Sequence, residues 1–364
     1  MRRLLVAAAT LAAWAGDRDA AIAAGMKKMI EAGEIPGAVT VIATRSGVAH
    51  LGVNGHVDPD KKKPLQKKSI FWIASMTKPI TSAAIMMLQD EGKLSVDDPV
   101  SKYIPELNTP GMTLKHLLTH TSGMGEATPE EQKAAKTLAD LVAAHASKKQ
   151  NFAPGAQWRY CQSGINTLGR IVEVVSKERF EVFLEKRLFK PLGMKDTTFF
   201  VTAKQLPRVV APVRKTGDKL VAEPVSSVTE RFRFPAANGG LFSTAPDYAR
   251  FARMLLNGGE LDGKRYLSEK AVAQMTAPQT GDLKAGFIPG HAWGLGVGVV
   301  REPQGQTAMS KPGTFGHGGA FGTQAWIDPQ SGVALILMVQ RANFKNSDDS
   351  PVRLAFQKAA MGAE

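Results

Sequence analysis

The chain has 364 residues, 43% hydrophobic and 22% charged, enough apolar material for one large or two joined domains around a substantial core. Lys and Arg outnumber Asp and Glu by 46 to 33. The excess is scattered in short runs such as Lys148-Lys149 and Arg214-Lys215 without interleaved aromatics, so it reads as solvated surface and not as a nucleic-acid module. Cys161 is the only cysteine, which excludes an intramolecular disulfide and a cysteine-based metal cluster.

In chain order, Arg2-Arg3 precede the apolar run Leu4 to Trp14, and Ala13-Trp14-Ala15 places small residues where a signal peptidase inspects. Residues 1–15 are therefore expected to be a signal peptide, with a periplasmic or secreted mature chain. The alternative is an alanine-rich first helix of a cytoplasmic protein. The run is too short to span a bilayer, and no later segment reaches spanning length without charges. Asp17 to Gly33 reads as a helix, Gly37 to Arg45 as a strand and Gly47 to Gly55 as its hairpin partner. Ser75 to Gln89 has a helical rhythm ended at Glu91-Gly92, which puts Ser75 at a helix N-terminus.

From Val100 to about Pro207 the pattern is helical, with loops at Pro105, Pro110, Pro129 and Pro154-Gly155. After Gly239-Gly240 come helices around Asp247 to Asn257 and Ser268 to Met275. Strands follow over Trp293 to Val300, Gly319 to Ile327 and Gly332 to Gln340, the last two joined by a turn at Asp328 to Gly332. A helix from Pro351 to Met361 closes the chain. Sheet residues at both ends flanking a helical middle predict an α+β fold: residues 16–80 and 230–364 in an α/β domain, residues 81–229 in a mainly helical one, and an active site between them.

Ser75-Met-Thr-Lys78 is the only S-x-x-K in the sequence, and on a helix that spacing puts hydroxyl and amine on one face. A serine hydroxyl is a weak nucleophile near neutral pH. A lysine activates it only where burial favours the neutral amine. Alone, the motif also fits an ordinary helix cap.

The segment Phe71-Trp-Ile-Ala-Ser75-Met-Thr-Lys78-Pro and the later Thr113-Leu-Lys-His-Leu-Leu-Thr-His-Thr-Ser-Gly123 resemble the serine β-lactamase and penicillin-recognising superfamily, most strongly its class C-like branch with the family VIII carboxylesterases. Ordered matches continue through Pro154-Gly155-Ala-Gln-Trp-Arg-Tyr160, Leu192-Gly-Met-Lys-Asp-Thr-Thr198, Gly239-Gly-Leu-Phe-Ser-Thr-Ala-Pro-Asp-Tyr248 and Gly316-His-Gly-Gly-Ala-Phe-Gly-Thr323. The resemblance implies an antiparallel sheet flanked by helices, with an inserted helical lobe. It nominates Ser75 as nucleophile with Lys78 and Tyr160 managing its proton, leaving open which of the two is the primary base. It also nominates the backbone amides of Ser75 and Ala320 as an oxyanion hole.

Two departures from the family pattern bear on substrate. The usual Tyr-x-Asn is here Tyr160-Cys161-Gln162, and the longer amide shifts the contact to an acyl-side amide. The usual Lys-Thr-Gly has two candidates. Lys215-Thr216-Gly217 matches in letters but lies in a polar, turn-like stretch far ahead of the last strands, whereas His317-Gly318-Gly319 has the right location. Histidine replaces a permanent cation with a group mostly neutral at pH 7, so Gln162, His317, Gly318 and Gly319 are expected to line a site for small uncharged esters.

His116 and His120 have a helical metal-ligand spacing, but Leu117 stands where a zinc-protease motif needs glutamate. A packing and hydrogen-bonding role beneath the cleft is the plainer expectation. The sequence therefore predicts a cofactor-free carboxylesterase working on a small-molecule ester through an acyl-Ser75 intermediate. The alternatives are a β-lactamase or D-Ala-D-Ala carboxypeptidase and, in another class, a non-catalytic penicillin-binding module. Transfer of the acyl group to an alcohol instead of water is a further alternative.

Overall fold

Gly37–Thr44 is a run of small, apolar and β-branched residues, and a strand of that kind is stable only where both faces are covered. In the computed structural model, which describes residues 2–60 and 63–362 and side chains from residue 17 onward, both faces are. Val39, Val41 and Ala43 face the large core. Ala38 and Ile42 face Ile22, Met26, Val352 and Phe356 from the two terminal helices, Arg2–Glu31 and Pro351–Met361. The signal-peptide expectation for residues 1–15 concerns side chains outside the described residues.

The main sheet has seven strands in the order Val48–Gly55, Gly37–Thr44, Val333–Met338, Gln324–Asp328, Phe315–Gly318, Gly298–Val300 and His291–Trp293. Every neighbouring pair is antiparallel. The register Val39 to Met338 and Thr44 to Val333 joins the two ends of the chain at the sheet centre. On the far side of the large core, helices Leu114–Leu118, Leu138–Ala146 and Gln162–Ser176 form the helical lobe. Between the layers runs Thr77–Asp90, buried from Thr77 through Leu88. No helix among the described residues is long and apolar enough to cross a membrane.

Three expectations need correction. The single strand expected over Trp293 to Val300 is a hairpin: Gly296 turns at φ 76°, where a β-carbon would come 1.8 Å from Ser82 Oγ. The strand expected from Gly319 starts at Gln324, since Gly319 to Thr323 forms a tight turn closed by Gly319 N donating to the Thr323 carbonyl at 2.7 Å. Lys215-Thr216 sits in a strand, Val213–Thr216, and not in an irregular turn. With Lys219–Ala222 that strand joins Arg341–Ala342 in a three-stranded sheet, tying part of the segment assigned to the helical domain to the end of the main sheet.

Candidate active site

Ala74 adopts φ 45°, a left-handed conformation that side chains seldom take. The bend lifts Ser75 off the short strand Phe71–Trp72 into a 3-10 turn, Ala74–Met76, that runs on into helix Thr77–Asp90. Ser75 is partly exposed between buried neighbours. Lys78, one turn later, is completely buried.

A buried amine must find partners. Lys78 Nζ donates to Gln162 Oε1 at 2.9 Å and to the Asn238 carbonyl at 2.7 Å, and stands 3.2 Å from Ser75 Oγ. Burial lowers its pKa from 10.5 to about 7, against an opposing pull from Glu126 and then Cys161. A neutral amine has two N–H donors and one lone pair. With both donors committed to Gln162 and Asn238, the lone pair is left for the Ser75 hydroxyl.

Asn238 arrives there because the segment around it is stitched to the same helix. Thr81 Oγ1 donates to the Ala237 carbonyl at 2.7 Å, and Leu241 N donates to Thr77 Oγ1 at 3.2 Å. Trp72 Nε1 holds the Gly239 carbonyl at 2.7 Å. Asn238 Nδ2 in turn donates to Gln162 Oε1 at 2.9 Å, so Gln162 bridges the amine and the amide.

Gln162 opens helix Gln162–Ser176, whose first amides lack helical acceptors. Glu126 supplies them, accepting from Gln162 N at 2.5 Å and Ser163 N at 3.1 Å. Tyr160, just before the helix, is clamped through its neighbours. Arg159 N donates to the His120 carbonyl at 2.9 Å, and Cys161 N to His120 Nδ1 at 3.2 Å. The Tyr160 hydroxyl lies 3.5 Å from His317 Nε2 and is influenced by the nearby Ser75 side chain. Its ring centroid is 4.6 Å from Lys78 Nζ. Burial raises the Tyr160 pKa far above the ordinary phenol value, and the Ser75 side chain offsets only part of that rise.

His317 lies on strand Phe315–Gly318 and is 3% exposed. Its Nδ1 is 2.6 Å from the Gly318 carbonyl, which can only accept. The proton is therefore assigned to Nδ1, and Nε2 offers its lone pair to the Tyr160 hydroxyl. Burial, and then the nearby Lys78, lower His317 from 6.5 to about 3. The imidazole is thus a neutral acceptor turned toward Tyr160.

Gly318 and Gly319 owe their identity to the back of the strand. A β-carbon on Gly318 would come 2.3 Å from Asp348 Oδ1, and one on Gly319 would come 2.6 Å from the Ile73 carbonyl. Thr323 Oγ1 also donates to the Ile73 carbonyl at 3.3 Å. The turn carrying exposed Ala320 is thereby docked on the segment that leads into Ser75.

The structure thus gathers Ser75, Lys78, Tyr160, Gln162 and His317 in one cluster and docks the Gly318 to Ala320 turn beside it. Lys215 is elsewhere, 2.7 Å from Glu34 in an ion pair. His116 Nδ1 accepts from Thr113 N at 3.1 Å, so the two helix-spaced histidines serve different backbone segments. Among the described residues no group of three or more His, Cys, Asp or Glu side chains is placed to hold a metal. Sequence reasoning missed Asn238 and Glu126, whereas His120 takes a hydrogen-bonding role of the kind expected for it. The one signal for Asn238 was its place directly before Gly239-Gly240.

With this geometry in view, known proteins offer a frame. The beta-lactamase family model matches residues 18–360. Penicillin-binding protein 4 of Amycolatopsis lactamdurans is 32% identical over 80% of this chain and 76% of its own length. Esterase EstB of Burkholderia gladioli is 24% identical over 84% of this chain and 86% of its own. Among solved structures, EstCE1, a hydrolase with promiscuous acyltransferase activity, superposes with a TM-score of 0.80 over 94% of this chain and 99% of its own, at 21% identity. That structural likeness shows the shared fold. The chain belongs to the beta-lactamase family.

Proposed function

We propose that this protein is a serine carboxylesterase acting on uncharged small-molecule esters through an acyl-Ser75 intermediate. The observation that carries the reading is the Lys78 amine: buried, titrating near 7, bonded to Gln162 and the Asn238 carbonyl, with its nitrogen 3.2 Å from Ser75 Oγ. Ser75 Oγ attacks the ester carbonyl and its proton passes to Lys78. The backbone amides of Ser75 and Ala320 donate to the oxyanion. As the tetrahedral intermediate collapses, Tyr160 gives its proton to the leaving alkoxide and is reprotonated from Lys78. Water then repeats the cycle in reverse and frees the acid.

Between the two candidate bases the pKa shifts favour Lys78. Tyr160 is driven away from its anion, whereas Lys78 is poised near neutrality. His317 supports uncharged substrates because it is a neutral acceptor where a fixed cation would hold a carboxylate. The test is intact-mass analysis after reaction with a fluorophosphonate, joined to rates on p-nitrophenyl acetate and nitrocefin. One adduct on Ser75 and faster ester turnover are expected. An adduct that persists in Ser75→Ala sinks the mechanism.

A further inference from the structure

Beside Tyr160 stands a wall of rings that the proposed chemistry does not use. Trp158 and Trp293 lie 5.3 Å apart between centroids, and both pack against the Tyr160 ring, at 6.4 and 6.1 Å. Phe287 closes the outer edge, 4.8 Å from Tyr160 in a T-shaped contact and 5.8 Å from Trp158. Unlike Trp293, which is 2% exposed, Phe287 is 39% exposed. Its ring packs against the wall on one side and is still partly open to solvent beside Tyr160.

The segment that carries Phe287 is held in place. Flanking Ala285 and Ile288 are buried. Gly286 and Gly290 take φ 89° and 77°, and a β-carbon on Gly290 would come 2.0 Å from the Glu302 carbonyl. Asn346 Nδ2 donates to the Phe287 carbonyl at 3.0 Å, while Asn346 Oδ1 accepts from Asp348 N at 3.0 Å. The segment is thus fastened to the one that backs Gly318. A fixed, half-exposed aromatic ring beside a polar site is a preorganised surface for an apolar partner.

The side of the substrate it meets follows from the proton path. In the proposed mechanism the Tyr160 hydroxyl serves the leaving oxygen, so the group bonded to that oxygen emerges next to the Tyr160 ring and its neighbour Phe287. We infer that Phe287 is a specificity residue for the alcohol portion of the ester, and that the favoured substrates are esters of alcohols bearing an aromatic ring, which packs against the exposed part of the Phe287 ring. This inference rests on the esterase reading.

Proton release from benzyl acetate, ethyl acetate and ethyl phenylacetate tests it, because benzyl alcohol and ethanol leave with similar ease and only the position of the ring differs. The wild-type protein is expected to favour benzyl over ethyl acetate by about tenfold in kcat/KM, the scale of one good aromatic contact. Phe287→Ala should erase most of that ratio, and Phe287→Leu, which keeps apolar bulk without the ring, should fall between. The ratio of ethyl phenylacetate to ethyl acetate should move far less. A benzyl preference that survives Phe287→Ala, or a loss confined to the phenylacetyl ester, overturns the inference while the esterase reading stands. Failure of all three esters together with absence of a Ser75 adduct overturns both.

Discussion

Lys78 Nζ and Ser75 Oγ stand 3.2 Å apart, and the amine's remaining bonds run to Gln162 and the Asn238 carbonyl. Because Lys78 titrates near 7, the proposed base form fills in as pH rises through neutrality. The acid limb of kcat/KM is expected to have its midpoint at about 7. A limb near 10, where an ordinary lysine titrates, would remove Lys78 as the base.

The same group makes a stability prediction of definite sign. Its pKa is about 7 in the fold and 10.5 when exposed, so between those values the unfolded chain binds one more proton. Stability contributed by this group therefore rises from pH 7 toward 10.5, and the cost of burying the ammonium is fully present below 7. Lys78→Met should cut kcat on the order of 10³-fold and raise the thermal midpoint at pH 6 by about 2 °C or more. Scanning calorimetry at pH 6 and 9 checks it, with the larger gain at pH 6.

Glu126 favours the charged form of Lys78 and caps helix Gln162–Ser176. Glu126→Gln should move the acid limb of the rate profile to lower pH, because the attraction that raises Lys78 is gone. It should also destabilise the protein by about 1 kcal/mol, the usual worth of a cap. A limb that moves upward contradicts the assignment.

His317→Lys restores a cation beside Tyr160 where the protein now has a neutral acceptor. Relative kcat/KM for a hemisuccinate ester over its uncharged ethyl-capped counterpart should rise by about tenfold, the equivalent of one modest charge contact. An unchanged ratio means that His317 does not govern substrate charge.

Gly319→Ala tests the docking of the Ala320 turn. Its β-carbon would sit 2.1 Å from Thr323 Oγ1 and 2.6 Å from the Ile73 carbonyl, so the turn must move away from Ser75. About 2 kcal/mol of stability should be lost to overpacking, and about 10²-fold in kcat to the displaced amide. Urea denaturation and steady-state kinetics measure the two separately.

Much of this was legible where the information is local. The last helix forms over Pro351–Met361 as expected, with Ser350 capping its start and Gly362 at φ 70° its end. Ser75 and Lys78 are one turn apart, and periodicity carries that relation. Glu126 and Asn238 escaped because they reach the site from other segments, and no local pattern marks a side chain that caps a distant helix or a carbonyl that meets a buried amine. The Trp293 to Val300 hairpin escaped for a similar reason: Gly296 bends against Ser82, far away in sequence. That Gly318 and Gly319 line the site is a local expectation, but what forbids a side chain there, Asp348 Oδ1 and the Ile73 carbonyl, comes from distant segments.

The pairing of Gly37–Thr44 with Val333–Met338 also has a consequence for birth on the ribosome. At ~5–20 residues per second, the first hairpin emerges and waits on the order of tens of seconds for the strand that completes it. During that interval an apolar edge stands open to wrong partners. The cleft cannot assemble until the last strands have left the exit tunnel, so a nascent chain stalled before them is expected to be inert and sticky at once.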